Sequence, residues 1–141
     1  MAGYSGTPLA KKLGIKDGFR VVLLHVPGEV RAELCDALGK CRVQRIGGNS
    51  DDEFDLIFLF AKSRAGLALD LIPAAKALAP AGMLWISWPK KSSGVPTDLT
   101  EDVIRQNGLA AGLVDVKVCA VTEVWSGLKF VIPVKDRPKK K

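Results

Sequence analysis

Three stretches of the chain are almost continuously apolar, and each is short enough to form a strand. They are residues 20–26, 54–61 and 83–88, and glycine, proline or charged residues bound them. A run of this kind is typical of a parallel strand that is covered on both faces of its sheet. The pattern therefore predicts the interior of an α/β sheet.

Three other segments, residues 41–46, 114–120 and 128–134, alternate between apolar and polar positions. Alternation with a period of two predicts strands that expose one face. Trp125, Ser126 and Gly127 lie between the last two segments and predict a turn, so we expect the chain to end in an antiparallel hairpin.

Helices are predicted between most of these strands. Residues 29–38 carry apolar side chains at three- and four-residue spacing, as an amphipathic helix does. A longer helix is predicted from Arg64 towards Leu78, with Pro73 either kinking it or opening a second helical segment. Residues that commonly cap helices predict where the helices begin and end. The predicted N-caps are Thr7, Ser63 and Asp98, and the predicted helix ends are Gly14, Gly39, residues 80–82 and Gly108.

Alternating strands and helices predict one Rossmann-like, three-layer α/β domain. Its sheet is expected to be mostly parallel, with about six strands, and to end in the antiparallel hairpin. At 141 residues the chain has the usual size of a single domain. We assign residues 1–134 to this domain and residues 135–141 to a basic disordered tail.

Composition narrows the class of protein. The longest apolar region is interrupted by charged residues, prolines and a glycine, so no span of about 20 apolar residues could cross a membrane. The N-terminus lacks the pattern of a secretory signal, and we expect a cytoplasmic protein. Cys35, Cys41 and Cys119 have no Cys-x-x-Cys spacing, which argues against a disulfide framework or a zinc ribbon, and they are predicted to be reduced, buried thiols. No cofactor and no metal is assigned.

The positive charge is concentrated at one end of the chain. Residues 135–141 carry a net charge of +4 out of the formal +6 of the whole chain. The positive and negative charges of the preceding residues, 1–134, are therefore nearly equal in number. Weak association with nucleic acid through the tail is one functional alternative, because such contacts need only phosphates and lysines.

Residues 13–28 resemble the entry to class I S-adenosylmethionine-dependent methyltransferases, where a loop leads into a first strand that ends in a glycine-rich turn. Residues 54–57, residues 78–86 and the terminal hairpin are similar to the middle and end of the same fold. The resemblance implies a degenerate, truncated form of it. The family's Gly-x-Gly-x-Gly turn is reduced to Gly28. The second predicted strand, residues 41–46, ends in Ile46-Gly47-Gly48 with no acid to hold ribose hydroxyls, and one strand-helix unit is missing after it.

A more specific resemblance is to one bacterial family of unknown function. It rests on residues 4–15, 83–91, 97–102 and 125–130. This resemblance implies a small cytoplasmic protein and brings no activity, cofactor or site residue.

In open α/β sheets, ligands bind at the carboxyl ends of the strands. Basic and hydroxyl side chains follow the predicted strands at this edge, beside helix N-termini that favour anions. The candidate ligand-binding residues are Gly28, Lys62, Ser63, Arg64, Lys90, Lys91 and Ser92. His25, Glu29 and Ser93 lie at the same edge.

These residues favour a non-enzymatic binding or regulatory module for a phosphorylated small molecule or an acidic protein partner. A divergent methyltransferase-like enzyme is an alternative, although one histidine leaves few groups for acid-base chemistry. A Cys35–His25 nucleophile pair is a further alternative, but the predicted helix face buries Cys35 against the sheet. A homodimer through the outer strand of the hairpin is also open.

Overall fold

A computed structural model describes residues 8–47 and 52–137 of the chain. The helices and strands alternate as the sequence predicts, and two 3-10 turns lie at Lys91–Ser93 and Val134–Asp136. In chain order, the elements are α1 (Leu9–Leu13), β1 (Arg20–Leu24), α2 (Gly28–Glu33), α3 (Cys35–Leu38), β2 (Arg42–Gln44), β3 (Phe54–Phe60), α4 (Arg64–Lys76), β4 (Leu78–Pro89), α5 (Glu101–Ala110), β5 (Val114–Ala120) and β6 (Trp125–Val131).

The six strands form one sheet in the order β2-β1-β3-β4-β6-β5. β2, β1, β3 and β4 are mutually parallel, and β6 runs antiparallel between β4 and β5. The chain moves outward from β1 to β2 and then crosses to β3 on the other side of β1. This arrangement confirms the predicted α/β fold with a mostly parallel sheet and an antiparallel end.

Helices cover both faces of the sheet. One apolar cluster joins the sheet to α4 and α5 through residues such as Leu67, Leu71 and Ile104. The other cluster joins the opposite face to α1 and α2 through Leu13 and Val30. The central strands are buried on both sides because they lie between these two clusters.

Several local signals were sufficient to predict their elements. Ser63 is the N-cap of α4, and its Oγ accepts a hydrogen bond of 3.0 Å from the backbone N–H of Gly66. Gly14 ends α1 with a φ of +78°, the left-handed conformation that glycine adopts at little cost. Pro73 lies inside α4 without ending it. The predicted cap Thr7 lies outside the described residues.

The predicted boundary between α4 and the next strand was wrong. Residues 80–82 are not a loop that closes the helix, because β4 already begins at Leu78 and runs for 12 residues. A register shift in the pairing of β3 with β4, between Phe54 and Leu56, accommodates this early start. The strand signal of Leu78 was masked by the proline and glycine that follow it.

The hairpin also differs from its prediction. Trp125, Ser126 and Gly127 are the first residues of β6 and pair with Pro89, Trp88 and Ser87 of β4, instead of forming the turn. The turn lies at residues 121–124, where the Thr122 Oγ1 accepts hydrogen bonds from the backbone N–H groups of Val124 and Trp125. Trp125 is consequently buried.

The predicted helix over residues 29–38 is divided in two at Leu34. Leu34 and Val30 are buried on the sheet, and Cys35, the next residue along the helical turn, points to solvent. The prediction that Cys35 is buried was therefore wrong. Cys41 and Cys119 are only partly buried, and none of the three cysteines forms a disulfide bond.

The last helix, α5, has its N-cap at Thr100, whose Oγ1 accepts from the N–H of Val103. The predicted cap, Asp98, binds elsewhere, and the predicted end, Gly108, is buried inside the helix.

The structure describes the first residues of the predicted tail. Lys135 and Asp136 lie in a 3-10 turn, and residues 138–141 are outside the described part of the chain.

Candidate functional site

The first strand ends in a strained turn. His25 follows β1 with a φ of +59°, and among residues 8–47 and 52–137 it is the one non-glycine residue with a positive φ. Such a conformation costs of the order of 1 kcal/mol or more and persists where surrounding contacts hold it. The contact here is with α4, because His25 Nε2 lies 3.0 Å from Asp70 Oδ2. The turn and the second turn of α4 are thereby tied together.

A cavity of about 590 Å³ opens beside this pair, at the carboxyl ends of β1 and β3. Side chains from both strand ends, from the start of α2 and from α4 line it. The lining residues are His25, Pro27, Glu29, Phe60, Ala61, Lys62, Gly66, Asp70 and Trp125. Phe60 and Trp125 contact each other edge to face, with ring centroids 4.8 Å apart, and form its aromatic base.

Groups of both charges face the cavity. Lys62 contributes an ammonium group, and Glu29 and Asp70 contribute carboxylates. The His25 side chain is 65% exposed and the Asp70 side chain 26%, so solvent reaches the pair that they form. The cavity lining therefore carries both positive and negative charges and is not uniformly basic.

The N-terminus of α4, where the sequence predicts an anion, already holds one from the protein itself. Asp98 Oδ1 accepts a hydrogen bond of 2.8 Å from the backbone N–H of Arg64, and the Arg64 Nε lies 3.4 Å from the Asp98 carbonyl oxygen. The neighbouring Thr97 hydroxyl donates to the Lys62 carbonyl oxygen at 2.6 Å. These contacts fasten the loop before α5 to the start of α4.

The structure divides the predicted ligand-binding residues among several places. Of the seven candidates, Lys62 lines the cavity. Ser63 and Arg64 are engaged at the α4 N-terminus, and Gly28 lies on a separate groove of about 500 Å³ that also contains Cys35 and Val43.

Lys90, Lys91 and Ser92 lie in the loop after β4, outside the cavity lining. The backbone N–H of Lys90 donates to the Val124 carbonyl oxygen at 2.7 Å, and the Ser93 hydroxyl donates to the Lys90 carbonyl oxygen at 2.6 Å. These bonds hold the loop against the hairpin turn.

Sequence reasoning placed His25 and Glu29 at this edge but missed Asp70 and Trp125. Asp70 is the one charged residue between Arg64 and Lys76 in an otherwise apolar helix, and that isolation was a usable signal. Trp125 was assigned to a turn, and the position of Asp98 at α4 depends on a contact between residues 34 positions apart. No local pattern encodes such a contact.

The same residues bear on whether S-adenosylmethionine fits. His25 stands at the turn where the methyltransferase family brings glycine backbone close to the cofactor, and its ring is held by Asp70. After β2, Asp52 is already bound by the backbone N–H of Gly47 at 2.9 Å. The residues present do not fit this cofactor in the manner of that family.

Among the described residues no group of His, Cys, Asp and Glu could hold a metal ion, and no helix is long and apolar enough to cross a membrane.

Several solved structures with the same fold are methyltransferases. A SAM-dependent methyltransferase from Aquifex aeolicus matches with a TM-score of 0.60 and 15% identity, over 88% of each chain. The magnesium protoporphyrin IX methyltransferase from Synechocystis PCC 6803 matches with a TM-score of 0.57 and 10% identity, over 89% of this chain and 74% of that one. At these identities the likeness concerns the fold alone.

A third match, the TehB-like SAM-dependent methyltransferase from Corynebacterium glutamicum, has a TM-score of 0.52 and 13% identity and covers 94% of this chain and 91% of the other. None of the curated proteins matches the chain. A family model described as "Protein of unknown function (DUF3052)" matches residues 10–134.

Proposed function

The chain belongs to the DUF3052 family of proteins of unknown function, and we propose that it is a non-enzymatic binding or regulatory module for a small phosphorylated or anionic ligand. The observation that supports this proposal is the position of the cavity between the ends of β1 and β3, where the strand order reverses. Ligands of open α/β sheets bind at this point. The volume of about 590 Å³ lies within the range of about 300–1,000 Å³ that is usual for small-molecule sites.

Within this proposal Lys62 makes the direct contact with the anionic group. It follows β3 at the carboxyl edge, and its own carbonyl oxygen is held by Thr97, so its backbone is fixed while its side chain is exposed. His25 also lines the cavity, and Nδ1, the ring nitrogen that does not face Asp70, is a second candidate contact. A fixed backbone with a free ammonium group is well suited to binding a point charge.

The carboxylates of Glu29 and Asp70 limit the charge of the ligand. A polyphosphate would bring several negative charges close to both of them, and like charges in a partly enclosed site repel strongly. A ligand with one phosphate or carboxylate group avoids this repulsion. We therefore expect monophosphates to bind better than triphosphates of the same compound.

Thermal unfolding in the presence of a ligand panel tests the proposal. The panel contains inorganic phosphate, sugar monophosphates, nucleoside mono- and triphosphates, S-adenosylmethionine and its demethylated product. A ligand at a hundredfold over its dissociation constant stabilises the folded state by about 2.7 kcal/mol, which raises the midpoint by a few degrees in a protein of this size. The expected result is a shift with monophosphates, and no shift with any phosphate would overturn the proposal.

Two lysine variants locate the binding. Lys62→Gln is expected to abolish the shift, because it removes the ammonium group from the cavity. Lys90→Gln is the matched control, since it removes the same charge at the same edge of the sheet but outside the lining. If both variants lose the shift equally, the ligand lies on the wider basic rim that the sequence predicts and not in this cavity.

The divergent methyltransferase-like enzyme is the competing function. Only the fold supports it, and one fold hosts many unrelated activities. A shift with S-adenosylmethionine that Lys62→Gln or His25→Ala abolishes would overturn the non-enzymatic proposal and favour the enzyme.

A further inference from the structure

Two lysines face each other across the terminal hairpin. Lys117 of β5 is the register partner of Lys129 of β6, so both side chains lie on the same face of the sheet. Like charges in directly opposed positions of an antiparallel pair destabilise the sheet. In the described part of the chain, no carboxylate forms an ion pair with either of them.

A third lysine lies at the same face. Lys12, at the end of α1, donates a hydrogen bond of 3.2 Å to the Ala120 carbonyl oxygen of β5. Burial raises the pKa of the Cys119 thiol, and the ammonium groups of Lys12 and Lys117 both act to lower it, so both lysines lie near this residue. Lys12, Lys117 and Lys129 therefore lie together on this face of the sheet, which we name the basic face.

The hairpin separates its charges between its two sides. Asp115 is the register partner of Phe130, on the side that α5 covers, and its Oδ2 accepts a hydrogen bond of 3.0 Å from Arg105 Nε. The carboxylate closest in sequence to Lys117 is thus directed away from the basic face and already paired. Asp115 therefore does not offset the repulsion between Lys117 and Lys129.

The basic face is an open surface. β5 is the last strand of the sheet, so the row formed by Lys129 and Lys117 runs out to a free edge. Neither the cavity beside His25 nor the groove beside Gly28 is lined by any of the three lysines. An open row of charges fits an extended polymer better than an enclosed small molecule.

We propose that the basic face binds the phosphate backbone of a nucleic acid. Lysine ammonium groups contact phosphates without reading base edges, and the binding they give is independent of sequence. Stable protein interfaces rely on exposed aromatic and arginine anchors, which this row of lysines lacks. The formal charge of +6 adds a long-range attraction to polyanions.

Fluorescence anisotropy of labelled single-stranded and duplex oligonucleotides, titrated with the full chain at about 50 to 200 mM salt, tests the proposal. Lys117→Gln and Lys129→Gln are each expected to weaken binding and to reduce the slope of log K against log salt by about 0.7–0.9, the loss of one phosphate contact. Lys76→Gln is the matched control, because it removes an exposed lysine from α4 on the other side of the sheet. Its slope is expected to equal that of the parent protein.

Three outcomes would overturn the proposal. The first is no binding by the parent protein. The second is an unchanged salt slope in the Lys117→Gln/Lys129→Gln variant, with loss of binding only when the three terminal lysines are replaced by glutamine, which would place the contact on residues 139–141. The third is equal loss in Lys76→Gln, which would make the attraction a matter of net charge.

Two further measurements separate misfolding and protein partners from loss of the phosphate contacts. Thermal unfolding of Lys117→Gln is expected to show an unchanged or higher midpoint, because the repulsion is relieved, so weaker binding would not come from unfolding. Polyglutamate serves as the probe for an acidic protein partner. If it binds with the same dependence on both lysines while nucleic acid does not, the surface belongs to an acidic protein and the proposal is wrong.

Discussion

Gly108 of α5 packs against the ring of Phe130 in β6. A Cβ at this position would overlap the ring of Phe130. Gly108→Ala is therefore expected to lower the free energy of unfolding by about 1–3 kcal/mol, the usual cost of overpacking a core, even though alanine is the better helix former by about 1 kcal/mol. Urea denaturation measures the change.

Gly28→Ala is the matched control for this prediction. A Cβ at Gly28 meets no atom within 4 Å, and its φ lies outside the left-handed range. The variant should be as stable as the parent or slightly more so. An equal loss at both glycines would contradict the assignment of the cost to the Phe130 ring.

Lys129 gives the protein a stability that depends on pH. Burial and, to a smaller extent, the neighbouring Lys117 lower its pKa below the ordinary value of 10.5. Between the lowered and the ordinary pKa the unfolded chain binds more protons than the folded one, so this lysine makes the free energy of unfolding rise with pH in that window. Below the window the folded state bears the full cost of the charge.

Urea denaturation at a series of alkaline pH values, up to about 10.5, tests this effect. The parent protein is expected to gain stability relative to Lys129→Gln as the pH rises. Lys117→Gln should retain most of the gain, because burial is the larger cause. Parallel curves for the parent and Lys129→Gln would contradict the assignment.

At the scale of single elements, the start of α4 is stabilised twice, by its own Ser63 and by Asp98 from a distant loop. Ser63→Ala and Asp98→Ala are each expected to lower the free energy of unfolding by about 1 kcal/mol, the typical cost of losing an N-terminal cap. Ser92→Ala, in the exposed loop after β4, is the control and should be neutral. A neutral Asp98→Ala would mean that its contact with the Arg64 N–H adds nothing to the helix.

The same elements show what a sequence can predict. β3 and the start of α4 were predicted because a continuous apolar run and a serine cap act locally. Thr97, Asp98 and Thr100 are all reasonable caps for α5, and the choice among them was decided by the loop that crosses to α4. Tertiary contacts of this kind override local propensity.

The candidate site was predictable to the same limited degree. Lys62 was placed correctly at the carboxyl edge because parallel strands end there together. Asp70 and Trp125 line the cavity only through the rotation of α4 and the register of β6 with β4. Neither quantity follows from hydrophobic periodicity, so Asp70 and Trp125 became recognisable as site residues only in the folded chain.

At the scale of the whole molecule, one sheet carries both apolar clusters. Trp88 lies in the cluster beneath α4 and α5, whereas Trp85 and Trp125 lie in the cluster on the opposite face. The Trp85 indole N–H also donates to the Leu13 carbonyl oxygen at 3.0 Å, which joins α1 to the sheet. Neither cluster can lose its packing without exposing the strands that the other one also covers.

We therefore expect the chain to unfold in a single cooperative transition. In Trp88→Phe the remaining tryptophans, Trp85 and Trp125, report on the face that α1 and α2 cover. In Trp85→Phe/Trp125→Phe the remaining Trp88 reports on the face that α4 and α5 cover. Within each variant, the urea midpoint from tryptophan fluorescence should coincide with the midpoint from far-ultraviolet circular dichroism, since coincident probes are the test of two-state behaviour. Comparing the probes within one variant removes the effect of the substitution on stability. Separate midpoints in either variant would mean that the two faces unfold independently, and the central strands would then have to remain paired with one face uncovered.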